Sequence, residues 1–146
     1  MNQPLISIVL PTYNGSRYLA ASIQSCINQT WQHWELIIIN DCSTDDTLAM
    51  ANGFAAKDNR IKVFSNEKNL KLPMSLNKGF SLANGELFTW TSDDNYYAPK
   101  ALEVMASALL ASPTSMLVYA NETLIDDDGK ITGEWVMGDV HEGVAK

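Results

Sequence analysis

Short runs of β-branched and other apolar residues alternate along this chain with stretches of helical period, a pattern that a layered α/β domain with a mainly parallel sheet can bury. Residues 5–10 read as a strand, and Leu19, Ile23, Cys26 and Ile27 then fall at i, i+4, i+7 and i+8, one face of a helix. Residues 35–39 form a second strand, after which Ser43 and Asp46 stand in the S-x-x-D spacing that can cap a helix carrying Leu48, Ala51 and Phe54. Residues 61–64 give a third strand, followed by Leu72, Leu76, Phe80 and Ala83 at nearly helical spacing until Asn84-Gly85 stops the helix. Residues 87–90 are a fourth strand with Phe88 and Trp90 in its interior. Pro99 fits the first turn of a helix with an apolar stripe of Leu102, Met105, Ala106, Leu109 and Leu110. Residues 116–119 read as a buried fifth strand, and 122–125 with 131–135 as a hairpin around an Asp-Gly turn; residues 138–146 show no periodicity. No linker or repeat divides the chain, so a single domain over residues 1–146 is expected.

A hydrophobic content of 46% with 18% charged residues is enough to build a core. The net charge of -7, with no clustered Lys and Arg, excludes nucleic acid as an expected partner. The apolar runs are far shorter than the roughly 20 residues a transmembrane helix needs. No basic leader precedes the first run, so the cytoplasm is the expected location. Cys26 and Cys42 lack CxxC spacing; Cys26 reads as core. An acidic chain that binds an anionic substrate needs local help, and a divalent cation held by carboxylates can supply it.

In an open parallel sheet, ligands bind beyond the carboxyl ends of the strands. There this sequence places Pro11-Thr12-Tyr13-Asn14-Gly15, Asn40-Asp41-Cys42-Ser43 and Thr91-Ser92-Asp93-Asp94-Asn95. The first loop offers a rigid proline, an aromatic face for a base, and hydroxyl and amide groups; each of those residues also suits an ordinary turn. Asp41 is placed to accept an imide N–H from a pyrimidine or to serve the start of the next helix. Asp93 and Asp94 repel each other unless a cation intervenes, and Mg²⁺ or Mn²⁺ combines one or two carboxylates with substrate phosphates. The acidic run Asp126-Asp127-Asp128-Gly129 fails as a calcium loop, because Leu124 and Trp135 fall at the first and last ligand positions. His33 and His141 have no catalytic or ligand spacing around them, and no nucleophile triad is visible.

The three loops in this order resemble the family 2 glycosyltransferases, inverting GT-A enzymes that transfer a sugar from a nucleoside diphosphate to an acceptor. The resemblance runs from residue 5 to about residue 112 through Ser7 to Leu19, Ser25 with Gln29, and Trp34 to Thr47. It implies that Pro11, Thr12, Tyr13 and Asn14 line a nucleoside pocket and that Asp41 recognises the base, often uracil. It implies ribose- or phosphate-side contact for Asp93 and metal coordination for Asp94, with Asp93 a second candidate ligand. Lys71 and Lys78 become diphosphate neighbours. Mn²⁺ or Mg²⁺ is the implied cofactor, and a glycan or lipid carrier the implied acceptor; membrane association and a homo-oligomer stay open.

The sequence departs from the family pattern at Lys71, where a glycine is usual, at Leu76, where an arginine is common, and at Thr91, in place of a first acid. The family's general base comes from a later segment, so the chain is expected to stop short of its acceptor side. Glu134, Asp139 and Glu142 are the late carboxylates outside the turn, and no motif makes any of them the base. The alternative reading is a non-catalytic nucleotide-sugar-binding or interaction module. A dinucleotide dehydrogenase is disfavoured, since no GxGxxG follows the first strand.

Overall fold

The computed structural model describes residues 3–136. Two compact units divide at Val104 and Met105. In the first, β1 (Ile6–Thr12), β2 (Trp34–Asn40), β3 (Ile61–Ser65) and β4 (Leu87–Trp90) form a parallel sheet in the order β3-β2-β1-β4. Every residue of β1 and β2 is buried, as expected of central parallel strands covered on both faces. Both strands run further than their apolar cores, so Thr12 and Asn40 are paired within the ladder and carry it into the polar loops. Pro11 is tolerated in β1 because β4 pairs only as far as Val9 with Trp90, leaving no ladder partner on that side for a donor.

Helix α1 (Leu19–Ile27) buries Leu19, Ile23 and Cys26 of the predicted stripe and half-buries Ile27. Burial pushes the Cys26 thiol up to about 12, despite a hydrogen bond from Ser25, so it is inert core. α2 (Thr47–Ala55) does not use the expected Ser43–Asp46 cap: Asp46 makes no side-chain cap bond, and Asp45 Oδ1 takes the Thr47 N–H at 3.1 Å. Ser43 is drawn instead into the loops, where its Oγ accepts from Asn14 N at 3.0 Å. α3 (Lys71–Ser81) covers Val9, Ile37 and Ile39 together with Phe64, Leu76, Leu82 and Ala83. Its buried residues are Ser75 and Gly79, while Leu72 and Phe80 stay exposed. A Cβ on Gly79 would sit 2.3 Å from Val9 Cγ1, so the small residue sets how closely α3 lies on the sheet.

At the amino ends of the strands, Glu35 on β2 accepts from Ser7 Oγ at 2.8 Å, Lys62 Nζ at 2.8 Å and Asn84 N at 2.7 Å, joining β1, β3 and the turn before β4. Phe88 and Trp90 are 57% and 47% exposed, not interior: among the described residues β4 is an edge strand, and both residues project from one of its faces. α4 (Ala101–Ala111) begins in the first unit, with Leu102 buried.

In the second unit, residues 116–119 are not a strand, and Met116 is 96% exposed. An apolar run supplies β-propensity only, and no neighbouring ladder pairs with it among the described residues. The predicted hairpin is present as β5 (Glu122–Ile125) and β6 (Ile131–Trp135), antiparallel, with Gly129 at φ 79 in the turn. Asp126 Oδ1 accepts from the backbone of Asp128 and Lys130, a turn role rather than metal ligation. Asp139, His141 and Glu142 lie outside the described residues. No helix among the described residues is long and apolar enough to cross a membrane.

Candidate functional site

Parallel β1, β2 and β4 point their carboxyl ends to the same edge of the sheet, with β4 stopping opposite Val9 and β1 and β2 running on to Thr12 and Asn40, and the polar loops that follow them are tied to one another. Asp41 N donates to Thr12 O at 2.8 Å, and Thr91 N to Val9 O at 3.0 Å, extending the ladders past the last paired residues. Asn14 Oδ1 accepts from Thr44 N at 2.8 Å, which joins the first loop to the second. Thr12 Oγ1 donates to Asp93 Oδ2 at 2.5 Å, which joins the first to the fourth-strand loop. From below, Ser22 Oγ on α1 holds Ser92 O at 2.8 Å. Gln29, fully buried, donates to Ala98 O at 2.8 Å and accepts from Leu102 N at 3.0 Å, fixing the path from that loop into α4.

The adjacent carboxylates diverge. Asp93 is turned onto the first loop, so close over Gly15 that a Cβ there would stand 2.0 Å from Asp93 Oδ2. Asp94 is exposed and accepts from Ser92 Oγ at 2.5 Å through one oxygen. Among the described residues no group of three or more His, Cys, Asp or Glu could hold a metal by protein ligands alone. The residues present fit a hard cation that takes one or two carboxylate oxygens and completes its shell with phosphate and water. Pro11 and Thr12 are buried, whereas Tyr13, which follows Thr12 in the chain, is 50% exposed.

Asp41 is 4% exposed. Its Oδ1 accepts from Asn66 Nδ2 at 2.8 Å and Leu70 N at 2.7 Å, and its Oδ2 from Lys71 N at 2.8 Å. Burial raises its pKa, but donation from Asn66, the Leu70 and Lys71 amides and Ser75 outweighs that and holds it below the usual carboxylate range. Asp41 thus organises the chain's entry into α3 as an ionised acceptor. Lys71 is exposed, at φ 68. The Lys78 ammonium turns to the end of β3, donating to Ser65 O at 2.9 Å and Asn66 Oδ1 at 2.8 Å.

Sequence reading overlooked Asn66, 6% exposed, although it directly follows β3 and the rule applied to the other strand ends would have found it. Gly15 reads only as part of the first loop and Ser22 not at all, because their roles depend on Asp93 and Ser92 arriving from far along the chain.

Comparison with known proteins bears on this arrangement. The chain matches the family described as Glycosyl transferase family 2 over residues 7–137. It is 36% identical to an uncharacterized glycosyltransferase of Haemophilus influenzae over 88% of this chain and 51% of that protein. It is 35% identical to another from the same organism, over 95% of this chain and 44% of that protein. The chain therefore spans about half the length of these curated relatives. Among solved structures, Staphylococcus aureus TarS 1–349 in complex with UDP is 28% identical, with a TM-score of 0.66 over 73% of this chain and 32% of that one. The same protein with UDP-GlcNAc gives 28% and 0.66, again over 73% of this chain and 31% of that one. The mannosyltransferase PcManGT from Pyrobaculum calidifontis, solved with GDP-Man and Mn²⁺, is 22% identical with a TM-score of 0.68 over 78% of this chain and 34% of that one, and shares the fold. With the GT-A sheet order and three converging strand-end loops, the chain belongs to glycosyl transferase family 2.

Proposed function

We propose that the first unit is the donor side of a glycosyltransferase that takes a sugar from a nucleoside diphosphate, UDP-sugar preferred, with metal-assisted inversion at the anomeric carbon. The observation that carries this reading is the union of the loops after β1 and β4 by the Thr12–Asp93 hydrogen bond, beside an exposed Asp94 and an ionised, buried Asp41. Tyr13 and Pro11 flank the base, Asp41 Oδ2 accepts its imide N–H, and Asn14 fixes the loop. Asp93, held by Thr12, lies toward the ribose, and Lys71 offers a cation to the diphosphate. Lys78, spent on Ser65 and Asn66, supports the loop rather than the phosphates. Asp94 and the free oxygen of Asp93 would hold Mn²⁺ or Mg²⁺, which when bound neutralises charge on the departing diphosphate. The acceptor hydroxyl oxygen bonds to the anomeric carbon as the bond to the β-phosphate oxygen breaks, and the hydroxyl proton passes to a carboxylate base. The likeness to TarS, solved with UDP and UDP-GlcNAc, supports uracil as the base. Calorimetric titration with UDP, GDP and dTDP, each with Mn²⁺ and with chelator, tests the reading. UDP binding that needs Mn²⁺ and weakens at least about tenfold in Asp94→Ala is expected; unchanged affinity in that variant would remove Asp94 from the site.

A further inference from the structure

Asn66, itself buried, sits at the centre of a polar relay behind Asp41 and is given no contact with the ligand in the reading above. Its Nδ2 donates to Asp41 Oδ1 at 2.8 Å and to Ser75 Oγ at 3.1 Å, and its Oδ1 accepts from Lys78 Nζ at 2.8 Å. Both amide hydrogens are therefore engaged. The orientation of an asparagine amide is set by what faces it, and here the chemistry leaves no choice. Lys78 has only hydrogens to offer, so the amide oxygen must face it. The NH₂ then faces Asp41, and the flipped amide would press an oxygen against a carboxylate. Asn66 N also donates to Asn40 O at 2.9 Å, so backbone and side chain alike tie the end of β3 to the second loop.

The consequence falls on Asp41. Asn66 and Leu70 occupy both lone-pair directions of Oδ1. Further acceptance is left to Oδ2, which also carries the Lys71 N–H. We propose that Asn66, locked by Lys78, is a positioning residue that presents Asp41 Oδ2 as an obligate acceptor and thereby sets the base selectivity of the site. The inference rests on the donor-site reading above. A ring that offers N–H to Oδ2, as uracil does at N3, is accepted. Cytosine, of nearly the same shape, carries a lone pair at that atom and meets the carboxylate with acceptor against acceptor, leaving both unsatisfied in a buried place.

UDP and CDP with Mn²⁺, titrated into the full chain, Asn66→Ala and Lys78→Met, separate this role from simple support of the fold; thermal melts establish which variants are folded. The wild type is expected to favour UDP over CDP by at least about tenfold. Asn66→Ala should bring the two affinities together, because a loosened Asp41 can turn from the base. Lys78→Met, which removes one of the two charged groups that fix the amide, should narrow the ratio by a smaller factor. It carries the test if Asn66→Ala does not fold. A merely structural Asn66 lowers both affinities in step and leaves the ratio untouched. Folded variants that keep the wild-type preference overturn this inference and leave the donor site standing, whereas a wild type that binds neither nucleotide removes both.

Discussion

Among the described residues, Asn14, Cys42 and Lys71 are the non-glycine residues with left-handed backbone, at φ 53, 64 and 68; the first two lie in loops of the candidate site and Lys71 opens α3. Such conformations persist where surrounding contacts over-determine them. Asn14 tolerates its position because an amide side chain suits that region, and its Oδ1 is held by the Thr44 amide. Lys71 has no such excuse: a Cβ-bearing residue there costs about 1–2 kcal/mol, and it is the Asp41 carboxylate on its N–H that keeps it in place. Lys71→Gly is therefore expected to raise the melting temperature by a few degrees, less whatever the glycine's unfolded-state freedom removes. The same change should weaken Mn²⁺-dependent UDP binding, since the ammonium goes with the side chain. Thermal melts and titration on one preparation read both; a fall in melting temperature would mean that the lysine side chain stabilises the loop more than its backbone strains it. The position of Asp41, Asp93 and Asp94 just past apolar runs was legible in the sequence, since strand ends can be found from periodicity. The direction each carboxylate takes was not. Asp93 is drawn inward by Thr12, 81 residues earlier, and only the folded chain brings the two together.

The strands and helices of the first unit followed from local pattern because each apolar run is bracketed by polar or turn-forming residues, and errors arose where a neighbour decided the outcome. Phe88 and Trp90 look like core by composition, yet among the described residues β4 is an edge strand that pairs with β1 alone. Ser43 had the spacing of a cap but was taken by Asn14, and residues 116–119 had β-propensity without a ladder. Glu35 is the opposite case, a charge within an otherwise apolar strand that is stable there because of its neighbours. Burial raises its pKa, but Lys62, the Asn84 backbone and side chain and Ser7 outweigh this and hold it at about 2, against an ordinary 4.5. Its side chain is only 7% exposed, so solvent screening is limited. At about 1.4 kcal/mol per unit, the depression is worth on the order of 3 kcal/mol. A depressed acid contributes fully above its unfolded pKa and loses that contribution as pH falls from 4.5 toward 2. Denaturant unfolding of wild type and Glu35→Gln at pH 6, 4 and 3 is expected to show a wild-type advantage that is largest at pH 6 and shrinks at each lower step; an advantage independent of pH would mean that Glu35 acts through packing rather than charge.

At the scale of the molecule, to receive the diphosphate proposed above a chain of net charge -7 must offset repulsion as well as form contacts. The described residues include no cluster of three ligands to hold a cation beforehand, only Asp94 and the partly committed Asp93. A cation with so few protein oxygens binds weakly alone, and a nucleoside diphosphate alone brings further negative charge to an acidic edge. Each supplies what the other lacks: the cation offsets the phosphate charge, and the phosphates complete the cation's oxygen shell. The two should therefore be coupled, each raising the affinity for the other by the same factor. Because ligands that bind only the folded state stabilise it by mass action, about 2.7 kcal/mol at a hundred times the dissociation constant, the coupling is readable as a melting temperature. Millimolar Mn²⁺ alone and UDP alone are each expected to shift the melt by a degree or less, and the two together by several degrees. The excess over the separate shifts should vanish in Asp94→Ala while Lys57→Ala, an exposed change just past the end of α2, leaves it intact. A full shift from Mn²⁺ without nucleotide would mean a preformed metal cage. A full shift from UDP in chelator would mean that Lys71 and the loop amides suffice for the diphosphate, and that the acidic pair serves the fold of the loop instead.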